Sequence, residues 1–572
     1  MEQPRRGLLL CPDDRPSWGL ASAVAAQHVL MVTGFFFVMT EMCEKVGMPT
    51  GERFRMIQIC TLACAGGVAL MSAKTAGFGT GALCTQVCAT AYLAPAVAAF
   101  HAGGLPLLAG LTVFAAFVQI LFASVIPKLQ RWLPTEILGL AIIMQGIYFV
   151  RVAGKQFEGF GTDSFGASEL AISGGVLALV VGLSVYGRGG VRLLGVLIAT
   201  ACGLIACAVL CPGTYFQGKE FLGTSALVSP WFSLPPIGFS GLSLGNGDLL
   251  LTFSLTSVAA AIKAMGDLSV LQKIAEPSWR SPDYRSLRKG VLSNGLGLGL
   301  AGLLGAFPLT ASATSVGIAF TTGAVARRIG YVLAGCLLAL SFFPRLLEML
   351  QSLPSPVTRA MTVFVACFNL AMGLQIVLSR VLDVRRSFAI GLPMLFGMSI
   401  VLTPGLYKQV PSFLQPLLAV PMVATVLVAV VANFLMSIGL SKRVQRLLDA
   451  DDMGAQLKAF VEDSAGAWSI RQDAALLLTS LCDELAEILR RFSSLEKPPS
   501  VSMKYSDGYL NFELRHSGSP IIFPGNKGSN AGELSRNSAM SIAAQDLRSR
   551  FPDLQLATEH GIQTFTLELQ AG

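Results

Sequence analysis

The chain has 572 residues, of which 53% are hydrophobic and only 13% charged, and its mean hydropathy is +0.62. A soluble globular protein carries about a quarter charged residues, so this composition excludes a wholly soluble protein. Residues 1–440 hold 28 Lys+Arg and 17 Asp+Glu, whereas residues 441–572 hold 14 and 17, and the net charge is +8. A charge-poor, basic membrane part followed by a charge-rich soluble tail is predicted.

The membrane part begins after a short lead. Residues 1–18 contain Arg5, Arg6 and Arg15 and show no cleavage site after a continuous apolar run, so they are interpreted as a cytoplasmic lead. Apolar runs long enough to cross a bilayer then recur along residues 19–440, and they number about fourteen. The sequence predicts an all-α polytopic protein of the cell (inner) membrane, with both termini in the cytoplasm.

Two of these apolar segments are interrupted by Gly, Pro, Ser and Thr, at residues 77–100 and 296–323. The polar interval 212–247 separates two halves, and each interrupted segment is the third in its half. Corresponding interruptions are typical of an inverted-repeat transporter, whose solute site lies near the bilayer midplane where the broken helices meet. The alternative is that the small residues only allow close helix packing.

Several local motifs indicate a family. They are the stretch from Asp14 to Trp18 leading to Gln27-His28, Trp132-Leu133-Pro134, the glycine-rich stretch 295–308, and Phe343-Pro344. Over most of residues 14–440 these motifs resemble the nucleobase/ascorbate transporters, the uracil–xanthine permease group. The resemblance implies a 7+7 inverted repeat with two broken segments, each a short strand plus a half-helix. It also implies a core domain, made of segments one to four and eight to eleven, that moves against a gate domain.

The family signature in the second broken segment is only partly kept. Gly317 and Thr322 match it, whereas Thr314 and Ser315 stand where the family has Gln or Glu and Asn. A hydroxyl can form a hydrogen bond with a base, but it cannot make the two-sided contact of an amide. We expect Thr314, Ser315 and Gly317 to bind substrate, with Thr322 in support. Because the backbone must approach the solute at Gly317, a larger residue there is expected to abolish binding.

The eighth segment departs from the family more sharply. Lys263 stands where the family usually has a Glu that binds substrate and helps to couple transport to protons, and Asp267 follows four residues later. This spacing places both side chains on one helical face. An unpaired charge at that depth costs roughly 2.5–3.5 kcal/mol or more, so the two are predicted to pair. They indicate an anionic solute with weak proton coupling, and a purely structural ion pair is the alternative.

The first broken segment supplies further candidates. Its residues 89–95 align with the family's short strand and half-helix, so Thr90 and Ala91 are expected to face the solute. A Phe that commonly stacks on the base in the family is Thr90 here. Gln27 and His28 of the first segment are expected to support the hydrogen-bond network of the site. For His28, a bond to a neighbouring helix carbonyl alone is the alternative.

Residues 441–572 are predicted to form a small α/β cytoplasmic domain with a regulatory or dimerisation role. A linker-like helix precedes a helical stretch at 472–492, and the alternation at 501–504 and 509–515 predicts a hairpin closed at Asp507-Gly508. A helix over 533–551 and strands at 554–557 and 564–569 follow. This order weakly resembles the ATP-binding domain of histidine kinases and anti-sigma factors. His516 replaces the ATP-binding Asp, so a non-catalytic module is expected.

These features predict a secondary active or facilitative transporter of a nucleobase-like or small anionic solute, of the xanthine, uracil or urate type. The mechanism implied by the resemblance is elevator-like alternating access. The alternative is a membrane sensor that signals through its C-terminal domain, and an enzyme is least favoured. No cofactor, metal site or nucleic-acid partner is expected. The expected partners are the solute, H+ or Na+, the lipid bilayer and a second copy of the chain in a homodimer.

Overall fold

The computed structural model of the chain describes residues 9–34, 36–130, 132–158, 166–211, 230–235, 241–245, 247–276, 279, 282–351, 353–379, 384–403, 405, 407, 409–411, 414–437, 442–449, 452–468, 470, 472–492, 498–506, 509–517, 546, 547, 549–551, 554–559 and 562–570. The described part is mostly helical. Apolar segments form helices in lipid because no water is available there to bond with an open backbone N–H or C=O group.

The helices of the membrane part fall on either side of the polar interval. Those before it are α1 (Trp18–Gly34), α2 (Phe36–Lys45), α3 (Thr50–Ser72), α4 (Leu93–Val125), α5 (Thr135–Phe157), α6 (Ala167–Tyr186), α7 (Gly189–Leu193) and α8 (Gly195–Leu210). Those after it are α9 (Gly247–Ala275), α10 (Tyr284–Leu304), α11 (Ala313–Thr322), α12 (Arg327–Ser341), α13 (Pro344–Gln351), α14 (Ser355–Val377), α15 (Val384–Leu402), α16 (Gln415–Leu418) and α17 (Pro421–Ser437). Local signals set some of the ends. Asp283 caps α10 by accepting a 2.9 Å hydrogen bond from the Arg285 N–H.

Several helices are long enough to span a bilayer. Within the described residues, seven are long and apolar enough to cross a membrane, and an eighth span is added if the pair Arg327–Ser341 and Pro344–Leu350, bent by 110°, counts as one. Helix α4 is itself broken, since Gly103 and Gly104 leave helical geometry and Gly104 has φ of 66°. Glycine adopts that backbone conformation without steric cost. The chain is therefore a multi-pass membrane protein.

Within the described residues of the membrane part, two short strands interrupt the helices. They are β1 (Gln86–Cys88) and β2 (Leu309–Ala311), and they pair antiparallel with Gln86 opposite Ala311. All six residues of these strands are buried. The predicted interruptions at 77–100 and 296–323 each contain one strand, and the two strands satisfy each other's backbone groups. A 3₁₀ turn and α4 follow β1, and α11 follows β2.

The close pairing of α5 with α14 depends on glycine. A Cβ atom placed on Gly139 would lie 2.8 Å from the carbonyl oxygen of Gly373, so any side chain there would force the helices apart. Buried ion pairs hold the same region near its ends. Glu136 of α5 lies 3.1 Å from Arg386 of α15. Arg359 of α14 lies 2.8 Å from Glu169 of α6.

A second hydrophobic core lies in the tail, and it is built from residues between 448 and 567. Helices α18 (Met453–Trp468) and α19 (Gln472–Phe492) accompany an antiparallel sheet in the order β3-β4-β5-β7-β6. Its strands are β3 (Lys442–Leu447), β4 (Ser500–Ser506), β5 (Tyr509–Ser517), β6 (Gln555–Glu559) and β7 (Ile562–Gln570). Strands β4 and β5 pair as the hairpin predicts. Its turn at 507–508 and most of the expected helix 533–551 lie outside the described residues.

Candidate functional site

The predicted charged residues of α9 meet beside the strand pair. Lys263 Nζ lies 2.7 Å from Asp267 Oδ2, and the two side chains are 6% and 1% exposed. Lys263 Nζ also donates a 2.6 Å hydrogen bond to the carbonyl oxygen of Ala311 in β2. A buried ammonium group needs several partners to replace its hydration. Lys263 therefore links α9 directly to the backbone of β2.

The N–H group of Ala311 is held from the other side by residues that the sequence analysis missed. Asn294 Oδ1 of α10 accepts a 2.7 Å hydrogen bond from this N–H group. Gln86 Nε2 donates to Asn294 Oδ1 at 3.2 Å. The Gln86 side chain passes between Gly67 and Gly297, where any Cβ atom would overlap its amide. A buried polar residue in a glycine-rich apolar run was the available signal for Asn294.

The start of α11 brings together the hydroxyl groups of the second broken segment. Ser312 caps the helix, because its side chain accepts a hydrogen bond from the Ser315 N–H. Ser315 Oγ lies 3.3 Å from His28 Nδ1 of α1. Thr314 Oγ1 and His28 Nε2 are buried, and each lacks a hydrogen-bond partner among the described residues. An unsatisfied buried polar group costs about 1–3 kcal/mol, so both atoms favour a polar ligand.

The first broken segment contacts Gln145 of α5, a residue that was not predicted from the sequence. Thr90 begins the 3₁₀ turn after β1, and its Oγ1 lies 3.3 Å from Oε1 of Gln145 in α5. Gln145 is buried, and so is Ala91. A lone Gln in an apolar helix carries no spacing signal, which is why sequence reasoning passed over it. The contact joins the first broken segment to α5.

Gly317 of α11 lies against an aromatic ring of α14. A Cβ atom at Gly317 would lie 2.7 Å from the Phe368 ring. Beside it, Val316 belongs to a small apolar cluster with residues of α5, α9 and α14 (Ile142, Val270, Met372 and Ile376). The side of Gly317 where its side chain would stand is therefore filled by Phe368, and close helix packing explains the glycine at this position.

The two remaining supporting candidates bond elsewhere. Gln27 Nε2 donates to the Leu193 carbonyl at 3.4 Å, and Gln27 Oε1 accepts from the Leu197 N–H at 3.3 Å, so this side chain joins α1 to α7 and α8. Thr322 Oγ1 donates to the Ile318 carbonyl one turn back in its own helix. Across the described ranges, no three His, Cys, Asp or Glu side chains are grouped closely enough to hold a metal ion.

Together these residues surround the strand pair with one buried ion pair, several hydroxyl groups, an imidazole and three carboxamides. Such a set can hold a small polar molecule through hydrogen bonds and one charge contact. The start of a half-helix is suited to the same task.

The chain is similar in sequence to known permeases. The xanthine/uracil permease model, described as "Permease family", matches residues 20–406. Xanthine permease XanP of Escherichia coli (strain K12) is 24% identical over 442 residues, covering 74% of this chain and 93% of XanP. Nucleobase transporter PlUacP of Paenibacillus larvae is 25% identical over 436 residues, covering 75% of this chain and 97% of PlUacP. The transmembrane domain of a cyanobacterium bicarbonate transporter, BicA, matches with a TM-score of 0.40 and 14% identity, covering 74% of this chain and 99% of BicA. The chain belongs to the permease family of xanthine and uracil permeases, the nucleobase/ascorbate transporters, and is a multi-pass membrane transporter and not an enzyme.

Proposed function

We propose that this protein is a secondary active or facilitative transporter of a nucleobase-like or small anionic solute, of the xanthine, uracil or urate type. The observation that carries the proposal is the buried Lys263–Asp267 pair bonded to the backbone of β2. Intramembrane ionisable residues are expensive and usually functional. The printed names of the relatives, a xanthine permease and a nucleobase transporter, support the same solute class.

In this proposal the solute lies between the two broken segments. Lys263 and Asp267 supply charge from α9, while Thr314, Ser315 and Thr90 supply hydroxyl groups, with the Ala91 and Gly317 backbones close by. Lys263 stabilises a negative charge on the solute, such as that of a deprotonated xanthine or urate. His28 orients Ser315 through the 3.3 Å contact. Coupling to H+ or Na+ is then weak, because no Glu stands at the position that the family uses.

We propose fourteen spans in a 7+7 inverted repeat. The broken segments support this number, since β1 with the first part of α4 and β2 with α11 each form one interrupted span. The first half is then α1, α3, the β1 segment, the second part of α4, α5, α6 and α8. The second half is α9, α10, the β2 segment, α12, α14, α15 and α17. Each half contains its strand in third place.

An elevator-like mechanism follows from this arrangement. The core would comprise α1 to α4 and α9 to α12, and the gate the remaining membrane helices. The core–gate contacts described above include two hydrogen-bonded contacts, Thr90 with Gln145 and Gln27 with the α7–α8 backbone, and the packing of Gly317 on Phe368. They also include an apolar cluster in which Val316 and Val270 of the core meet Ile142 of the gate. Such contacts can break and re-form as the core slides with its solute against a gate that buried ion pairs keep rigid.

We place both termini in the cytoplasm of the inner membrane. The N-terminal lead pairs with the chain between α11 and α12, where the Arg327 N–H donates to the Pro12 carbonyl at 3.0 Å. Asp13 lies 2.7 Å from Lys74 at the end of α3, so these basic positions lie on one side. Residues 441–572 would form a cytoplasmic regulatory or dimerisation domain in a homodimer.

The test is binding followed by flux. Purified protein is first screened by thermal shift against xanthine, uracil, urate and small anions, because a ligand that binds only the folded state raises the melting temperature. The best ligand is then offered in radiolabelled form to proteoliposomes. Saturable entry above that of empty liposomes supports a transporter. Binding without net entry would indicate the sensor, and the absence of both would overturn the proposed solute class.

A further inference from the structure

Gln145 of α5 is buried, with 4% of its surface exposed. Its Oε1 lies 3.3 Å from Thr90 Oγ1 of the first broken segment. In the proposed architecture α5 belongs to the gate and Thr90 to the core. The side chain therefore brings a carboxamide from the gate to the solute-facing end of a core segment.

The packing of α5 on α9 places Gln145 near the charged pair. Gly266 lies between Lys263 and Asp267 in α9, and a Cβ atom there would lie 2.7 Å from the Leu138 carbonyl oxygen and 3.1 Å from the Ile142 side chain. Helix α5 thus crosses α9 at the turn that carries the pair. Gln145 follows Ile142 by three residues, so the two side chains lie on one face of α5.

Gln145 carries a carboxamide, a group that the hydroxyl side chains of the second broken segment do not supply. The start of α11 carries the hydroxyl groups of Thr314 and Ser315 and no carboxamide. A carboxamide presents a donor and an acceptor side by side, which a hydroxyl group cannot do. The edge of a nucleobase with adjacent ring N–H and C=O groups requires that pairing.

We propose that Gln145 contacts the solute and supplies from the gate the carboxamide that the signature positions lack. The preferred ligand is a flat heterocycle with an adjacent N–H and C=O group. This inference rests on the proposed function. Thr90 Oγ1 donates to Oε1 of this amide, and the solute takes its place on binding.

A purely structural role for Gln145 makes a different prediction. If the amide only joins α5 to the first broken segment, its removal weakens the binding of every ligand by the same factor. If the amide forms hydrogen bonds with the N–H and C=O groups of the base, its removal weakens the binding of an intact base. The binding of a ring-N-methylated form stays nearly unchanged, because its N–H group is already blocked. The ratio of the two dissociation constants therefore separates the roles.

The experiment uses the full chain, purified in detergent, and the base that the wild type binds most tightly among xanthine, uracil and urate. Dissociation constants for that base and its ring-N-methylated form are measured by calorimetry. We expect Gln145→Leu to raise the dissociation constant of the intact base by about tenfold or more. The preference for the intact base over the methylated form should fall by a similar factor. Gln58→Leu is the matched control, since Gln58 is buried and bonds to Ser341 outside the site.

The outcomes separate the inference from the proposal beneath it. A wild type that binds none of the bases contradicts the proposed function. A wild type that binds, together with Gln145→Leu binding within twofold of it or with an unchanged preference, overturns the inference alone. Gln145→Glu covers a failure of the first variant to fold, because it keeps the shape and the acceptor towards Thr90 but loses the amide donor. Unchanged affinity and preference in Gln145→Glu would overturn the inference equally.

Discussion

The ammonium group of Lys263 lies 2.6 Å from the carbonyl oxygen of Ala311, so the charge of α9 is bonded directly to the backbone of β2. The opposite face of the same peptide segment is held by Asn294 through the Ala311 N–H. Any movement of β2 therefore changes the environment of the buried charge. This arrangement links the position of the broken segment to the electrostatics of the proposed solute site.

The ion pair predicts an ordering of mutant stabilities. Asp267→Asn leaves Lys263 buried without its counter-charge, and breaking one partner of a buried pair costs about 3–5 kcal/mol. Replacing both residues with apolar ones of similar size removes both desolvation penalties. We expect Asp267→Asn to melt at a lower temperature than the double variant Lys263→Met/Asp267→Leu, as measured by fluorescence scanning in detergent.

The double variant also serves as the functional control. It should be the better folded of the two and still fail to accumulate solute, because the charge contact is gone. If Asp267→Asn melts at or above the temperature of the double variant, the two side chains do not depend on each other for their burial.

The contact between Gly317 and Phe368 predicts a rescue. A side chain at Gly317 would overlap the Phe368 ring, so Gly317→Leu should abolish transport by separating α11 from α14. Phe368→Ala removes the ring and makes room. We expect Gly317→Leu/Phe368→Ala to recover part of the uptake lost in Gly317→Leu. Uptake in proteoliposomes measures this, and normal solute affinity in Gly317→Leu alone would show that the glycine is not needed near the site.

Replacement of the family Glu by Lys263 predicts weak proton coupling. Lys263 forms an ion pair with Asp267, so no carboxylic acid stands at the family's coupling position. Uptake is measured with and without an imposed pH gradient at constant membrane potential, and the gradient should change accumulation little. Strong accumulation driven by the pH gradient alone, and preserved in Lys263→Met, would show that this lysine does not replace the coupling acid.

The broken segments and the charged pair can be predicted from the sequence because their signals are local. Interruptions by Gly and Pro are local, and β1 and β2 formed where the helical pattern failed. The i,i+4 spacing of Lys263 and Asp267 is likewise local, since one helix carries both side chains. These features depend on neighbours within a few residues, so a single sequence carries them.

Other parts of the site depend on contacts between distant segments. Gln86, Asn294 and Gln145 have hydrogen-bond partners that lie 17 to 208 positions away along the chain, so no local pattern predicts these contacts. Gln27 stands beside His28 in sequence, yet it points to the α7–α8 backbone because successive helical residues face different directions. In the tail, β3 pairs with β4 across about fifty residues, and no local alternation predicts it.

The tail contains a histidine whose burial predicts a pH response. His516 is buried, its Nε2 lies 3.2 Å from Gln563 Oε1, and its ring stacks on Phe565. Burial lowers the pKa of His516 below the usual 6.5, and the hydrogen bond with Gln563 partly opposes this. The native state then binds fewer protons than the unfolded state, so tail stability is full above pH 6.5 and falls as the pH drops below it.

Hydrogen exchange of the full-length protein measures this response, with rates corrected for the intrinsic effect of pH. Strands β5 and β7 should lose protection at pH 5.5 relative to pH 7.5. The variant His516→Gln keeps a polar side chain that does not titrate, so it should show a smaller loss of protection. Equal losses in the variant and the wild type would assign the response to other groups.

The most direct test of the account is entry of radiolabelled xanthine into proteoliposomes loaded with unlabelled xanthine, compared between the wild type and Asp267→Asn. Counterflow needs a solute site that opens to both sides, and it needs no coupling ion. We expect saturable counterflow above that of empty liposomes in the wild type and its loss in Asp267→Asn. Wild-type protein that shows no counterflow with xanthine, uracil or urate, or full counterflow in Asp267→Asn, would contradict a nucleobase transporter with its site at this pair.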